Sequence, residues 1–236
     1  MLECRNVGKK YGGKTAVDDV TMCVEDGRLV ALLGPNGSGK TTLMKMVAGL
    51  VKPTSGQIRF DHAPIGVETK RHVAYMPTET YFYNYMTALD AGKYYRDFFQ
   101  DFDFARYEEM LRQEKLDAKQ KIRSMSSGMM AKLKLALAFS RNSRLVMLDE
   151  PLNGIDIIAR ERTLGLIREN HTDGRTLIVS SHLVDELEDM IDDAIFMKDG
   201  KIVRMGDAKA MRSESGMSIV DMYMQIYGEG GAKADA

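Results

Sequence analysis

The hydrophobic pattern of the chain predicts strands and helices in alternation. Val20, Met22 and Val24 place an apolar side chain at every second position, as in a half-buried strand, whereas Leu29–Leu33 is the unbroken apolar run of a buried strand. By the same criteria we predict further strands at 57–60, 144–148, 176–180, 194–198 and 201–205, and helices at 43–48, 157–170 and 183–191. This alternation predicts a mainly parallel sheet covered by helices.

Residues 79–142 interrupt the alternation. They contain no strong strand run, and we predict helices joined by polar turns, which would form an insertion into the main domain. Eleven of the 18 Phe and Tyr residues of the chain lie between Tyr81 and Tyr107. For Phe98 and Phe102, the i, i+4 spacing favours a place in the core of this helical lobe.

Composition changes this picture little, but it excludes several classes of protein. The chain has 236 residues, and 33 basic side chains nearly balance 34 acidic ones, so the net charge of −1 predicts no nucleic-acid partner. No apolar stretch approaches the roughly 18 residues of a membrane span, and the N-terminus lacks a signal core. We expect one domain at 1–228 with Cys4 and Cys23 as reduced thiols, and a disordered tail at 229–236.

The most specific motif begins at Gly34 and has the sequence Gly-Pro-Asn-Gly-Ser-Gly-Lys-Thr-Thr. It follows a predicted buried strand and precedes a predicted helix, the setting of a phosphate-binding P-loop. Gly34, Gly37 and Gly39 let the backbone N–H groups point at phosphates, Lys40 should reach the β- and γ-phosphates, and the Thr41 hydroxyl should ligate Mg²⁺. The other loop residues expected at the site are Pro35, Asn36, Ser38 and Thr42. The alternative is a glycine-rich turn without function.

A second set of polar residues follows later strands of the predicted sheet. The strand at 144–148 ends in Asp149 and Glu150, and His182 follows the strand at 176–180. Ligands bind at the carboxyl ends of parallel strands, so we expect Asp149 to hold Mg²⁺ and Glu150 to act on the attacking water. His182 is placed to face the γ-phosphate, although a surface histidine is the alternative.

The order of these motifs resembles that of the ATP-binding subunits of ABC transporters, over about residues 2–228. The family's signature, Leu-Ser-Gly-Gly-Gln, corresponds here to Met-Ser-Ser-Gly-Met at 125–129, in which Ser126 and Gly128 match. A serine that caps a helix, together with the helix dipole, is suited to a γ-phosphate. In the family this motif contacts the ATP of a second subunit in a head-to-tail dimer.

Further positions follow from the same resemblance. Tyr11 corresponds to the aromatic side chain that stacks on adenine, and Asp156 to the aspartate of the loop that crosses the dimer interface. After Pro77 the family usually has a glutamine that contacts Mg²⁺ and the lytic water, whereas this chain has Thr78. We therefore keep Thr78 or Glu79 as candidate metal contacts.

The resemblance implies an α/β fold: a P-loop NTPase with a RecA-like, mainly parallel sheet, an N-terminal antiparallel β-subdomain and the inserted helical subdomain. It implies an ATPase that uses ATP and Mg²⁺, dimerises with an identical or a different ATPase subunit, and powers a separate transmembrane permease. The protein would then be cytoplasmic, held at the inner face of the membrane by that permease.

Details of the partner stay open at this stage. The aromatic residues at 81–85 would form part of a groove for a helix of the permease, or else the core of the helical lobe. The segment 218–226 and the altered signature resemble the exporter branch of the family. The alternatives are a soluble ABC-type ATPase without a transporter, and a regulatory module that binds nucleotide but hydrolyses it weakly.

Overall fold

The N-terminal strands form an antiparallel sheet. In the computed structural model, which describes residues 1–171 and 174–228, this sheet has the strand order β2-β1-β4-β5. Its strands are β1 (Leu2–Tyr11), β2 (Lys14–Val24), β4 (Ser55–Phe60) and β5 (Ala63–Pro64). Val20, Met22 and Val24 are buried, as their alternation predicts.

A second sheet of six strands forms the centre of the molecule. Its strands are β3 (Leu29–Leu33), β6 (Val73–Met76), β7 (Leu145–Asp149), β8 (Thr176–Ser181), β9 (Asp193–Lys198) and β10 (Lys201–Asp207). The order is β10-β9-β3-β8-β7-β6, and every neighbouring pair is parallel except β9 and β10. The carboxyl ends of β3, β7 and β8 therefore meet at one edge, where open α/β sheets bind ligands.

The helices surround this sheet. They are α1 (Lys40–Val47), α2 (Val67–Lys70), α3 (Ala88–Phe98), α4 (Phe104–Gln113), α5 (Ser127–Phe139), α6 (Ile157–Asn170), α7 (Ala208–Ser215) and α8 (Ile219–Tyr227), with a 3₁₀ turn at Ile122–Ser124. Helices α3, α4 and α5 make up the predicted helical insertion between β6 and β7. No helix in 1–171 or 174–228 has the length and apolar character needed to cross a bilayer.

The core lies on both faces of the central sheet. In β3, Leu29, Ala31 and Leu33 face one buried cluster, while Val30 and Leu32 face the other. A strand buried on both faces needs a continuous apolar run, which is why β3 lacks polar alternation. Truncating one of its leucines to alanine would cost about 2–5 kcal/mol of stability, so the strand that leads into the P-loop is held rigidly.

Two expectations from the sequence are wrong. Residues 183–191 form consecutive turns instead of a helix: Leu187 N–H donates to the Val184 carbonyl and Met190 N–H to that of Leu187, both three residues back. Val184 and Leu187 are buried at helical spacing, which explains the error.

The second wrong expectation places both Phe98 and Phe102 in the core of the helical lobe. Phe102 is buried but Phe98 is 66% exposed, because α3 ends at Phe98 and the i, i+4 relation does not apply beyond it. The predicted tail at 229–236 lies outside the described residues.

Candidate functional site

The P-loop is a tight backbone turn between β3 and α1. Gly34, Gly37 and Gly39 all have positive φ angles, of 157°, 87° and 106°. A Cβ atom on Gly34 would lie 2.4 Å from the Met197 carbonyl oxygen, and one on Gly39 would lie 2.5 Å from that of Ala16. At positions 34 and 39 glycine is therefore required by both the backbone conformation and the lack of space. The turn leaves the free N–H groups of the α1 N-terminus available to an anion.

Lys40 folds back over this loop. Its Nζ donates to the carbonyl oxygens of Gly34, at 2.6 Å, and Pro35, at 3.2 Å, and lies 3.1 Å from Glu150 Oε1. The side chain is only 5% exposed. A buried ammonium group held by two neutral carbonyl oxygens and one carboxylate can exchange them for the negatively charged oxygens of phosphate.

Asp149 is the most completely buried acid of the site. Its carboxylate accepts hydrogen bonds from the hydroxyls of Thr41 at 3.0 Å, Ser180 at 2.7 Å and Tyr75 at 3.0 Å, and it has no exposed surface. Burial, with the Asp149 charge as the second cause, raises the pKa of Tyr75, so the phenol stays a donor. These three donors fix the carboxylate next to the P-loop.

Glu150 and His182 form a hydrogen-bonded pair. His182 Nδ1 lies 2.8 Å from Glu150 Oε2, while the Glu150 backbone N–H donates to Ser180 Oγ at 2.9 Å. Glu150 adopts a φ angle of 50°, an unusual conformation for a residue other than glycine that costs about 1–3 kcal/mol. Such strain is typical of functional sites, and here the surrounding bonds hold the carboxylate towards Lys40.

Lys40, Thr41 and Glu150 line one cleft of about 460 Å³, a volume within the range of small-molecule sites, whereas Asp149 and His182 are not part of its lining. Tyr11 lies at its edge with 49% of its surface exposed, and Lys9 Nζ lies 5.0 Å from the centre of its ring. Thr78 and Glu79 line the cleft as well. The predicted site residues that it brings together are Tyr11, Asn36, Gly37, Ser38, Gly39, Lys40, Thr41, Thr42, Thr78, Glu79 and Glu150.

The side chains of Thr78 and Glu79 take different directions. Thr78 Oγ1 donates to the backbone carbonyl of Asp149 at 3.1 Å, so it does not bond the carboxylate. Glu79 is 71% exposed and pairs with Lys45 of α1 at 3.4 Å. Both lie beside the candidate metal position, and the choice between them as a metal contact stays a prediction.

The signature residues Ser126 and Gly128 do not line the P-loop cleft. Ser126 caps α5 and accepts from the Met129 N–H at 3.2 Å, and Gly128 is buried where a Cβ atom would lie 3.0 Å from that of Ala159. Ser126 lines a cavity of about 290 Å³ that borders the cleft, since Thr78, Glu150 and Asn153 line both. Asp156 caps α6, accepting from the Ala159 N–H at 2.9 Å. Neither Ser126 nor Asp156 lines the cleft of its own P-loop.

Sequence reasoning missed three residues of the site: Tyr75, Ser180 and Lys134. Tyr75 lies on β6, a strand of only four residues that the hydrophobic pattern does not predict. Ser180 does carry a signal, since it ends the strand before His182, and polar residues at that edge are candidates. Lys134 is in α5 and donates to three backbone carbonyl oxygens, which no sequence pattern indicates.

Comparison with known proteins decides the family. A family model described as ABC transporter matches residues 17–153, more than half of the chain. The chain belongs to the ABC transporter family of ATP-binding proteins. The P-loop NTPase fold expected from the sequence is thereby confirmed, and the protein is an ATP-hydrolysing enzyme.

Individual relatives agree with this assignment. The ABC transporter ATP-binding protein YtrB of Bacillus subtilis (strain 168) is 30% identical over 221 residues, which cover 91% of this chain and 74% of that protein. The lantibiotic transport ATP-binding protein SrtF of Streptococcus pyogenes is 31% identical over 205 residues, covering 86% and 89%. Among solved structures, an ATP-binding subunit of an ABC transporter superposes with a TM-score of 0.85 at 27% identity, covering 96% and 99%.

We expect Lys40→Ala to weaken ATP binding by about 10- to 100-fold, because one charge-assisted contact in a closed site is worth about 1.5–3 kcal/mol. Titration with a fluorescent ATP analogue would measure the dissociation constant. Lys93→Ala removes an exposed lysine of α3 and is the control. Unchanged affinity in Lys40→Ala would contradict the role given to this lysine.

Proposed function

We propose that this chain is the ATP-hydrolysing subunit of an exporter: it closes with a second ATPase subunit around two ATP molecules and powers a separate transmembrane permease. The observation that supports this best is the arrangement of Asp149 and Glu150. Asp149 lies within hydrogen-bonding distance of Thr41, and Glu150 contacts both Lys40 and His182. Groups for metal, phosphate and water thus converge on one edge of the sheet.

The residues present fit Mg²⁺. Asp149 supplies a carboxylate and Thr41 a hydroxyl, both hard oxygen donors, and Mg²⁺ is usually bound through one or two carboxylates together with substrate phosphates. When bound, the ion would neutralise charge on the phosphates. Ser180 and Tyr75 keep the Asp149 carboxylate oriented by donating to its two oxygens.

Glu150 is proposed to act on the attacking water. Its carboxylate is 9% exposed and lies between Lys40 and His182, so it is fixed and partly shielded from solvent. When Lys40 Nζ binds phosphate instead of Glu150 Oε1, this oxygen becomes free to accept a hydrogen bond from water and to receive its proton. His182, bonded to Oε2, holds the carboxylate in this orientation.

The place of the signature supports a second subunit. Ser126 caps α5 and does not line the cleft of its own P-loop, so its helix N-terminus is available to a phosphate from another subunit. A head-to-tail arrangement would bring Ser126 and Gly128 of one subunit to the γ-phosphate of the other, while Asp156 lies at the crossing between them.

A membrane partner is supported by the exposed aromatic side chains of the helical lobe. Tyr83, Tyr85 and Phe98 are 55%, 70% and 66% exposed, and Tyr and Phe are typical of interface cores. The relative SrtF is described as a lantibiotic transport protein, which favours export. Held by such a permease, the protein would lie at the cytoplasmic face of the membrane.

Isolation from its native membrane tests this proposal. The tagged protein, extracted in mild detergent, should co-purify with a protein of several membrane spans, and ATP hydrolysis should rise when both are placed in liposomes. A soluble, fully active enzyme without such a partner would show instead an ATPase not coupled to transport.

For the loop after Pro77, we expect Thr78→Ala to lose less than about tenfold in basal hydrolysis, about 1.4 kcal/mol of barrier. Lys40, Thr41 and Asp149 still hold phosphate and metal in that variant. Glu79→Ala should chiefly reduce stimulation by the permease. Rates of both variants with and without the permease decide this, and complete loss of activity in Thr78→Ala would mean that the threonine acts on the metal or the water directly.

A further inference from the structure

Lys134 is a buried lysine that the nucleotide chemistry described above does not use. It lies in α5, eight residues after the signature serine, and is 5% exposed. Its Nζ donates to the backbone carbonyl oxygens of Pro77, Thr78 and Glu79, at 3.1, 2.7 and 2.9 Å. An ammonium group has three N–H donors, so all of them are used on three consecutive residues of one loop.

Burial of the Lys134 ammonium group costs free energy, which suggests that this side chain has a function. Lysine is almost never fully buried unless paired, and burial lowers the pKa of Lys134 from its usual value, an effect that the charges of Glu79 and Asp149 oppose. Its three hydrogen bonds go to carbonyl groups and none to a carboxylate. The contact therefore fixes backbone atoms of the loop and leaves the side chains of Thr78 and Glu79 free for other partners.

Those side chains bond the two halves of the ATP site. Thr78 donates to the Asp149 carbonyl at the end of β7, and Glu79 pairs with Lys45 of α1, the helix that follows the P-loop. Lys134 also lines the 290 Å³ cavity together with Ser126, Asp149 and Glu150. One side chain thus joins the signature helix to the loop that touches the candidate metal and phosphate groups.

We infer that Lys134 is a positioning residue for ATP hydrolysis. It couples the loop at 77–79 to the signature helix, so that a displacement of this helix when Ser126 binds a second subunit also changes the position of Asp149. This inference rests on the proposed roles of Asp149 and Ser126. Its consequence is specific. Loss of Lys134 should impair the chemical step, which depends on the placement of Asp149 and Glu150, more than ATP binding, which depends on the P-loop.

Steady-state kinetics of Lys134→Met test the inference. We expect kcat to fall about 10- to 100-fold, the usual effect of a small misplacement of reacting groups, with the KM for ATP changed less than about threefold. The matched control is Lys132→Met on the same helix, which removes a lysine 3.3 Å from the buried Glu114 but makes no contact with the loop. Both variants lose a partner of a buried group, so both should melt earlier, but only Lys134→Met should lose kcat.

A spectroscopic readout separates positioning from stability. The chain contains no tryptophan, so Thr80→Trp, at an exposed position of the same loop, would introduce a single tryptophan whose emission can be excited apart from that of the ten tyrosines. ATP should change its emission in the otherwise unaltered protein and in Lys132→Met, but not in Lys134→Met. Should Lys134→Met fail to fold, Lys134→Gln, which keeps two N–H donors, should still lower kcat and weaken the ATP-dependent signal relative to the unsubstituted protein.

Two results would overturn the inference. One is an unchanged kcat in a folded Lys134 variant, and the other is an equal loss of kcat in Lys134→Met and Lys132→Met, which would reduce the role of Lys134 to stability. Failure of the proposed function would look different: a fully active enzyme without a membrane partner would overturn the transport proposal, while a loss of kcat confined to Lys134→Met would still support this inference.

Discussion

Replacing Glu150 by glutamine is expected to slow ATP hydrolysis by roughly 10²–10⁴-fold while ATP remains bound, the range lost with a general base. Glutamine has the shape of glutamate, and its amide can still bond to His182, but it cannot receive the proton of water. Lys40 keeps its contacts with the Gly34 and Pro35 carbonyls, so the P-loop is not disrupted. Single-turnover hydrolysis measured beside ATP binding separates the two effects.

The same substitution should trap a dimer, because ATP closes the two subunits and its cleavage opens them. Size-exclusion chromatography with Mg²⁺ and ATP should show the Glu150→Gln dimer, and an ATP-free sample should show monomer. Glu68→Gln, which neutralises a glutamate whose side chain is 78% exposed in α2, is the matched control and should behave like the unsubstituted protein. Turnover at the normal rate in Glu150→Gln would remove Glu150 from the role of base.

Ser126→Arg is expected to abolish turnover and to leave ATP binding to the monomer nearly intact. Ser126 caps α5 and does not line the P-loop cleft, so an arginine there is expected to leave the contacts of the P-loop with the ATP of its own subunit in place. It would instead occupy the position at which the γ-phosphate of the second subunit is expected. Nucleotide titration and a phosphate-release assay on the same preparation measure the two quantities.

Loss of the helix cap is the competing explanation for this effect, since removing an N-cap serine costs about 1 kcal/mol. Ser218→Arg removes the same kind of cap from α8 and is the control, because Ser218 accepts from the Asp221 N–H just as Ser126 accepts from Met129. We expect Ser218→Arg to lower stability without abolishing turnover. Activity that rises linearly with the concentration of a strictly monomeric enzyme would contradict the dimer.

The parts of the site that could be predicted from the sequence are those that depend on local order. The P-loop needs consecutive residues, and Asp149 with Glu150 directly follows an apolar strand, so each could be recognised from a short window. Helix α5 likewise begins at Ser126, because a serine there can satisfy a free N–H group. The family comparison confirms the fold that these windows predict.

The remaining parts depend on contacts between distant residues. Tyr75 and Ser180 lie 74 and 31 residues from Asp149 in the chain, and only the pairing of β6 and β8 with β7 brings them to its carboxylate. The role of Lys134 is even harder to predict from the sequence, since a lysine among leucines in a helix has no distinguishing periodicity. The wrong helix at 183–191 has the opposite cause: its apolar spacing is helical, but the burial of Val184 and Leu187 is achieved by turns.

The position of β3 in the sheet has a consequence for how the enzyme is made. Both neighbours of β3 come late in the chain, since it pairs with β8 at Thr176–Ser181 and with β9 at Asp193–Lys198. During synthesis the complete P-loop sequence therefore leaves the ribosome long before its strand has a partner on either side. Contacts so distant in sequence form slowly, and an unpaired apolar strand is exposed to aggregation until they do. The nascent ATPase acquires its nucleotide site only after β8 and β9 have been translated.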